Sequence, residues 1–165
     1  MLALAPPAQI APPPTVAKVD LARYMGDWFE IARLPNPFQK KCATTTARYI
    51  LTGDGRFRVI NGCITPAGKY LEATGRARVK DATTGSKLEV TFFWPFYGDY
   101  WILALDAGYQ WALVGTPDRR YLWVICRSER MDPVLLKNLL DRARELGYFL
   151  DRLIRSEPDP QPVSR

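Results

Sequence analysis

From residue 28 to residue 127 apolar and polar positions alternate in short runs, separated by turn-forming residues. Leu88, Val90 and Phe92, for example, alternate with Glu89 and Thr91, which is the period of a strand with one buried face. Followed along the chain, this pattern predicts eight strands over 28–34, 44–51, 57–64, 70–80, 87–93, 100–105, 110–115 and 121–127. Thr52-Gly53-Asp54-Gly55-Arg56 is a strong hairpin signal, and Ala82-Thr83-Thr84-Gly85 and Asp106-Ala107-Gly108 are further turns. A short ninth strand is read within 149–154. Even spacing and short turns give an all-β fold, an antiparallel barrel or sandwich.

The period then changes. Asp132 suits a helix N-cap, Pro133 the first helical position, and Gly147 the position past the end. Leu135, Leu136, Leu139, Leu140, Ala143 and Leu146 share one face at about 100° per residue, opposite Lys137, Asp141, Arg144 and Glu145. A single capped amphipathic helix after a barrel packs on its outer wall. The mixed charge of its polar face argues against a helix lying on a membrane.

The turns sort into two sets. The connections after the second, fourth and sixth strands carry glycine with Asp or Thr; those after the first, third, fifth and seventh carry Pro35 and Pro37, Pro66, Pro95 and Pro117. In an up-and-down arrangement the two sets lie at opposite ends, one closed by tight turns and one bearing stiffer loops. Eight such strands make a barrel wide enough for one small ligand. By the same parity the start of the first strand and the end of the eighth meet at the closed end. Trp28 and Arg127 therefore form a floor, an indole braced by a guanidinium, with Gly26 letting backbone come close. This pair is read as a structural plug.

Composition narrows the picture. At 165 residues and 47% hydrophobic, the chain is long enough for one domain with a sizeable core. Proline-rich stretches at 1–19 and 157–165 read as tails around a domain at 20–156. The first residues lack the apolar core of a secretory signal, and the first cysteine is Cys42, so no lipid-anchor cysteine is visible. Histidine is absent, which removes the commonest general base and metal ligand. Three cysteines are too few for a disulfide scaffold and lack zinc-site spacing, and no cofactor or metal is expected. The net charge of +6 makes anionic partners plausible without naming one.

The chain resembles the lipocalin family over about 20–156. Gly26-Asp27-Trp28 is similar to the family's first motif, Asp106 and Tyr109 to its second (with Leu105 where a threonine is usual), and Arg127 to its third. Three segments resemble the bacterial outer-membrane lipocalins and their relatives, apolipoprotein D and the plant temperature-induced lipocalins. These are Trp28-Phe29-Glu30-Ile31-Ala32-Arg33, Phe92-Phe93-Trp94-Pro95-Phe96-Tyr97-Gly98-Asp99-Tyr100 and Tyr121-Leu122-Trp123-Val124-Ile125. The resemblance implies a calyx for lipophilic molecules. For the bacterial branch it implies fatty acids or lysophospholipids, in the periplasm or at the outer membrane of the cell envelope.

Leu88, Val90 and Phe92 are expected inside the barrel. Trp94, Phe96 and Tyr97 belong to an aromatic connection, 94–99, at the open end, which lines the mouth, touches a membrane, or fills a small core of its own; Tyr100, which opens the next strand there, is a further expected ligand contact. Lys40, Lys41, Lys69, Arg119 and Arg120 also map to open-end connections, where Arg119 and Arg120 are expected to attract an anionic headgroup. Cys42 and Cys63 fall toward the open end of one hairpin, so a disulfide closing a loop of about twenty residues is expected, and with it an oxidising compartment. Cys126 motivates an alternative, a cysteine-dependent lipid isomerase like the prostaglandin D synthase branch. A reactive thiol needs a neighbouring base or cation, and Arg127 points to the other face, so no enzyme is expected. A single-stranded nucleic-acid binder is disfavoured by the strand count and sparse mouth charge. The reading is a carrier for one elongated lipophilic ligand, with a carotenoid- or sterol-binding lipocalin as the other alternative.

Overall fold

Alternation closes into a cylinder. A computed structural model describes residues 10–93 and 95–156. It comprises α1 (Leu21–Tyr24), β1 (Gly26–Arg33), β2 (Thr44–Gly53), β3 (Arg56–Ile64), β4 (Tyr70–Val79), β5 (Lys87–Phe93), β6 (Phe96–Leu105), β7 (Trp111–Gly115), β8 (Leu122–Cys126), α2 (Pro133–Glu145) and β9 (Ile154–Arg155). The strands run in the order β2-β3-β4-β5-β6-β7-β8-β1-β9, and β1 also pairs with β2. This is the expected eight-stranded antiparallel up-and-down barrel, with β9 added beside β1 at Ala32 and Arg33. Bulges between Glu30 and Ala32 and between Ile102 and Ala104 sharpen the bend of the wall.

Two hydrophobic cores share this wall. Inside lie Trp28, Tyr49, Phe57, Val59, Ala77, Leu88, Ala112, Val114 and Ile125. Outside, Leu113, Leu122, Val124 and Cys126 meet Leu136, Leu139, Leu140 and Ala143 of α2. β7 and β8 are therefore buried on both faces, which is why Trp111-Ala112-Leu113-Val114 and Leu122-Trp123-Val124-Ile125 read as continuous apolar runs. The helix starts where the sequence places it. The Asp132 carboxylate accepts from the amides of Val134 and Leu135, and Pro133 occupies the first turn. It ends at Gly147, whose φ of +92° is open to glycine without strain.

Three expectations change. The sixth strand begins at Phe96, four residues before the expected start at Tyr100, because Phe93 pairs with Phe96 and makes the aromatic connection a hairpin. The ninth strand covers only Ile154 and Arg155. The stretch before Val19 was expected to stay unpacked. Instead Val16 N donates to Ile102 O, Val19 N donates to Thr84 O, and Val19 is buried in the inner core. Residues 1–9, the expected tail 157–165 and Trp94 lie outside the described residues.

Candidate ligand-binding site

The floor is assembled from both ends of the barrel wall. Arg127 follows β8, and its guanidinium carbon sits 3.8 Å from the centroid of the Trp28 ring. Its nitrogens donate to three carbonyls, those of Tyr109 (3.1 Å), Asp27 (2.9 Å) and Arg23 (2.8 Å). Gly26 has φ +95°, and a Cβ there would lie 3.3 Å from an Arg127 nitrogen, so the glycine supplies both the turn and the room. Trp28 is fully buried, and its indole N–H donates to Tyr24 O at 2.9 Å. The Asp106–Tyr109 turn completes the floor: Gln110 N donates to the Asp106 carboxylate, and the Tyr109 hydroxyl accepts from Asp20 N. The residues expected at the floor are thus brought together.

Directly inside the floor three phenols converge. Tyr24 from α1, Tyr49 from β2 and Tyr100 from β6 join through hydroxyl contacts of 2.7 Å (Tyr24–Tyr100) and 3.0 Å (Tyr49–Tyr100). Burial, ahead of the phenols' mutual proximity, pushes all three well above the ordinary tyrosine value, so they are neutral hydroxyls.

Above them is a cavity of about 520 Å³, within the roughly 300–1,000 Å³ typical of small-molecule sites. Its walls come from Ala47 and Tyr49 of β2, Phe57 and Val59 of β3, Val90 and Phe92 of β5, and Trp123 and Ile125 of β8. Val90 and Phe92 stand where expected, whereas Tyr100, expected toward the open end, lines the cavity from its floor, where its hydroxyl meets those of Tyr24 and Tyr49. Leu88 faces inward but is fully buried in the core and is not among the lining residues. The mouth lies among the first, fifth and seventh connections, at Phe38, Phe93, Phe96, Pro117 and Tyr121. Phe38, Phe93 and Phe96 are largely exposed. Tyr97 reaches the lip, but its ring stacks under the Arg78 guanidinium at 4.0 Å.

One side of the mouth is held by a buried polar network. Arg33 donates to Glu30 at 2.6 Å and to the carbonyls of Gln39 and Cys42. The Gln39 amide donates to the other Glu30 oxygen at 2.6 Å and accepts from the Trp123 indole at 3.0 Å. A buried ion pair is costly unless its remaining valences are met, and here most are, which fixes the β1–β2 connection. Cys42 and Cys63 are joined by the expected disulfide beside it.

The charged collar does not form as expected. The Arg119 guanidinium donates to Leu146 O at 2.7 Å and to Ala11 O at 2.7 Å, so it ties the end of α2 to the N-terminal stretch. Arg120 lies over the Tyr121 ring at 5.5 Å. Neither arginine lines the cavity, and no lysine or arginine does among the described residues. Cys126 is buried in the outer core against α2, not in the cavity, so the geometry gives no cavity thiol.

Tyr24, Tyr49, Phe57, Val59, Glu30, Gln39 and Trp123 were not singled out from sequence. Alternation along β2 and β3 could have supplied Tyr49, Phe57 and Val59. Nothing local marks Tyr24, which arrives from a helix of four residues.

Comparison with known proteins agrees with this architecture. Residues 19–158 match the model of the lipocalin-like domain family. The chain is 38% identical over 140 residues to outer membrane lipoprotein Blc of Escherichia coli (strain K12), covering 84% of this chain and 79% of that protein. It is 34% identical over 155 residues to temperature-induced lipocalin-1 of Arabidopsis thaliana, covering 89% and 83%. Among solved structures, lobster apocrustacyanin A1 superposes with a TM-score of 0.68 at 17% identity over 93% of both chains, a likeness of fold.

Proposed function

The chain belongs to the lipocalin-like family, and from that premise we propose that it carries or stores one elongated lipid of the fatty-acid or lysophospholipid class in the bacterial cell envelope. Binding of a small lipophilic molecule is the property its fold and relatives support. The observation that carries the reading is the cavity of about 520 Å³, apolar along its walls, stoppered by Trp28 and Arg127 and open at the Phe38, Phe93 and Phe96 rim. The envelope is supported by the relatedness to an outer membrane lipoprotein and by the Cys42–Cys63 disulfide, a bond that persists in oxidising compartments. The proposed ligand contacts are Val90, Phe92, Tyr100 and Phe96, joined by Phe57, Val59 and Trp123.

Mouth chemistry favours the lysophospholipid within that class. The carboxylates near the cavity include Glu30, already neutralised by Arg33, and Asp118 at the exposed rim. With no lining cation to meet a bare carboxylate, a zwitterionic head suits the lip better than a fatty-acid head. Apolar walls give broad chain-length tolerance, about 0.8 kcal/mol per buried methylene. The test is mass spectrometry of an organic extract of the purified protein, with displacement of a fluorescent fatty acid by lysophosphatidylethanolamine and by palmitate. Stoichiometric displacement, tighter for the lysophospholipid, is expected. An empty extract together with no displacement by either lipid would overturn the carrier reading.

A further inference from the structure

The floor holds a hydrogen-bond donor that the protein itself does not use. Tyr24, Tyr49 and Tyr100 each bring one hydroxyl proton. Their oxygens make two contacts, Tyr24 to Tyr100 and Tyr49 to Tyr100, and each contact takes one proton. Whichever way the two bonds run, one proton is left over, and no other acceptor among the described residues receives it. If Tyr100 receives both bonds its own proton is free; if it passes its proton to Tyr49, the Tyr49 proton is free; if it passes it to Tyr24, the Tyr24 proton is free. Tyr49 and Tyr100 line the cavity and Tyr24 is fully buried behind them, so two of the three runs present the donor to a ligand, and an oxygen placed there favours those runs.

A lipid chain that reaches this floor with a methyl end strips water from that donor and gives nothing back. Leaving a buried donor unmatched is unfavourable, whereas an oxygen at the same place restores the bond. The oxygen must be neutral. An ionised carboxylate needs several donors, and one is on offer. Arg127 does not supply the rest, because it lies on the indole of Trp28 with its nitrogens committed to the carbonyls of Tyr109, Asp27 and Arg23.

We propose that the Tyr24–Tyr49–Tyr100 hydroxyl cluster is a subsite for one neutral oxygen at the buried end of the ligand. The ligands it selects are lipids whose leading end carries a hydroxyl or carbonyl in place of a methyl. This rests on the calyx reading above and adds an orientation: polar head at the lip, second oxygen at the floor.

The test compares lysophosphatidylethanolamines whose acyl chains end in a methyl or an ω-hydroxyl, at lauroyl, myristoyl and palmitoyl lengths so that one of them reaches the floor. Affinities are measured by calorimetry for the wild type and for the triple variant Tyr24→Phe, Tyr49→Phe, Tyr100→Phe. Removing all three hydroxyls together leaves no orphaned partner, so the variant keeps the shape of the floor at little cost to folding; a melting curve checks this. The wild type is expected to bind the best-fitting ω-hydroxy lipid at least as tightly as its methyl counterpart. The variant is expected to bind it about tenfold more weakly than the methyl lipid, the reading being the ratio of the two affinities within each protein. An ω-hydroxy penalty of about tenfold at every length in the wild type overturns the subsite without any variant. So does a hydroxyl-to-methyl ratio that the variant leaves unchanged. Failure of both the methyl and the ω-hydroxy lipids to bind the wild type at every length would instead remove the calyx reading, and the subsite with it.

Discussion

Replacing Arg127 with Met should destabilise the domain by about 2–4 kcal/mol. The magnitude follows from its contacts. The stack on Trp28, with the guanidinium carbon 3.8 Å from the ring centroid, contributes roughly 0.5–2 kcal/mol. Three bonds to the carbonyls of Tyr109, Asp27 and Arg23 add roughly 0.5–1.5 kcal/mol each. The upper part of that range is not reached, because Asp27 and Arg23 lie at the surface and their carbonyls regain water when the arginine is lost. Arg127→Lys keeps the charge and the stack but cannot fan across three acceptors, so it should fall between, at about 1–2 kcal/mol. Urea denaturation followed by far-UV circular dichroism reads both values, with an unchanged m-value confirming the same unfolding reaction. A double-mutant cycle with Trp28→Leu, which removes the aromatic face, isolates the pair. That change also removes the indole bond to Tyr24 O, but the loss cancels in the cycle, and a coupling of about 0.5–2 kcal/mol is expected. A loss under about 0.5 kcal/mol for Arg127→Met is ordinary for an uninvolved surface residue. With zero coupling, it would refute the idea that the floor is braced.

Cys42→Ser with Cys63→Ser opens a crosslink between residues 21 apart and should cost about 3 kcal/mol; reductant added to the wild type should lower the urea midpoint by the same amount. Tyr24, Tyr49, Tyr100 and Tyr148 are all held above the ordinary phenol value, chiefly by burial. Because the native values are raised, the stability they contribute is complete below the unfolded value near 10 and is lost as the pH climbs past it. Urea midpoints should therefore be level up to about pH 9 and drop by about pH 11, with phenolate absorbance appearing alongside unfolding; a flat profile across that window would contradict the burial argument. Phe92→Ala should weaken lipid binding about tenfold or more, whereas Leu113→Ala should leave the affinity near wild type and cost about 2–5 kcal/mol of stability, as paired calorimetry and denaturation would show.

Parity carried much of this structure in the sequence. Strands whose residues alternate, such as 87–93, were bounded correctly because one face is core and the other solvent. The pairing of Trp28 with Arg127 needed only the count of strands between them. Errors arose where a residue's partner is remote. Arg119 sits in a loop at the mouth end, and a cation there reads as a collar. Its φ of +64° and its bonds to Leu146 and Ala11 turn it to the outer wall, and those partners are 27 and 108 residues away. Prolines before Val19 correctly indicate extended backbone but say nothing of the lateral bonds from Val16 and Val19 that hold it to the barrel. Glycine and proline between Phe93 and Tyr100 suggest a loop, while the Phe93–Phe96 and Val90–Gly98 pairings continue the ladder through them.

The two cores divide the work of the barrel. A cavity inside a small domain sacrifices contacts that a packed interior would have made, so the stability must come from somewhere else. Here the described lining includes no residue of β4 or β7. The wall made by β7, β8 and β1 is closed on its outer side by α2, where Leu113, Leu122 and Val124 are fully buried against Leu139, Leu140 and Ala143. β2, β3 and β5 contribute much of the apolar lining and receive no helix. Side chains on that half can be shaped by the ligand while the helix-backed half holds the fold. The tyrosine cluster follows the same logic. Its three hydroxyls lie between the braced Trp28–Arg127 floor and the open cavity, where a polar group can serve recognition without taking an apolar contact from the core that α2 seals.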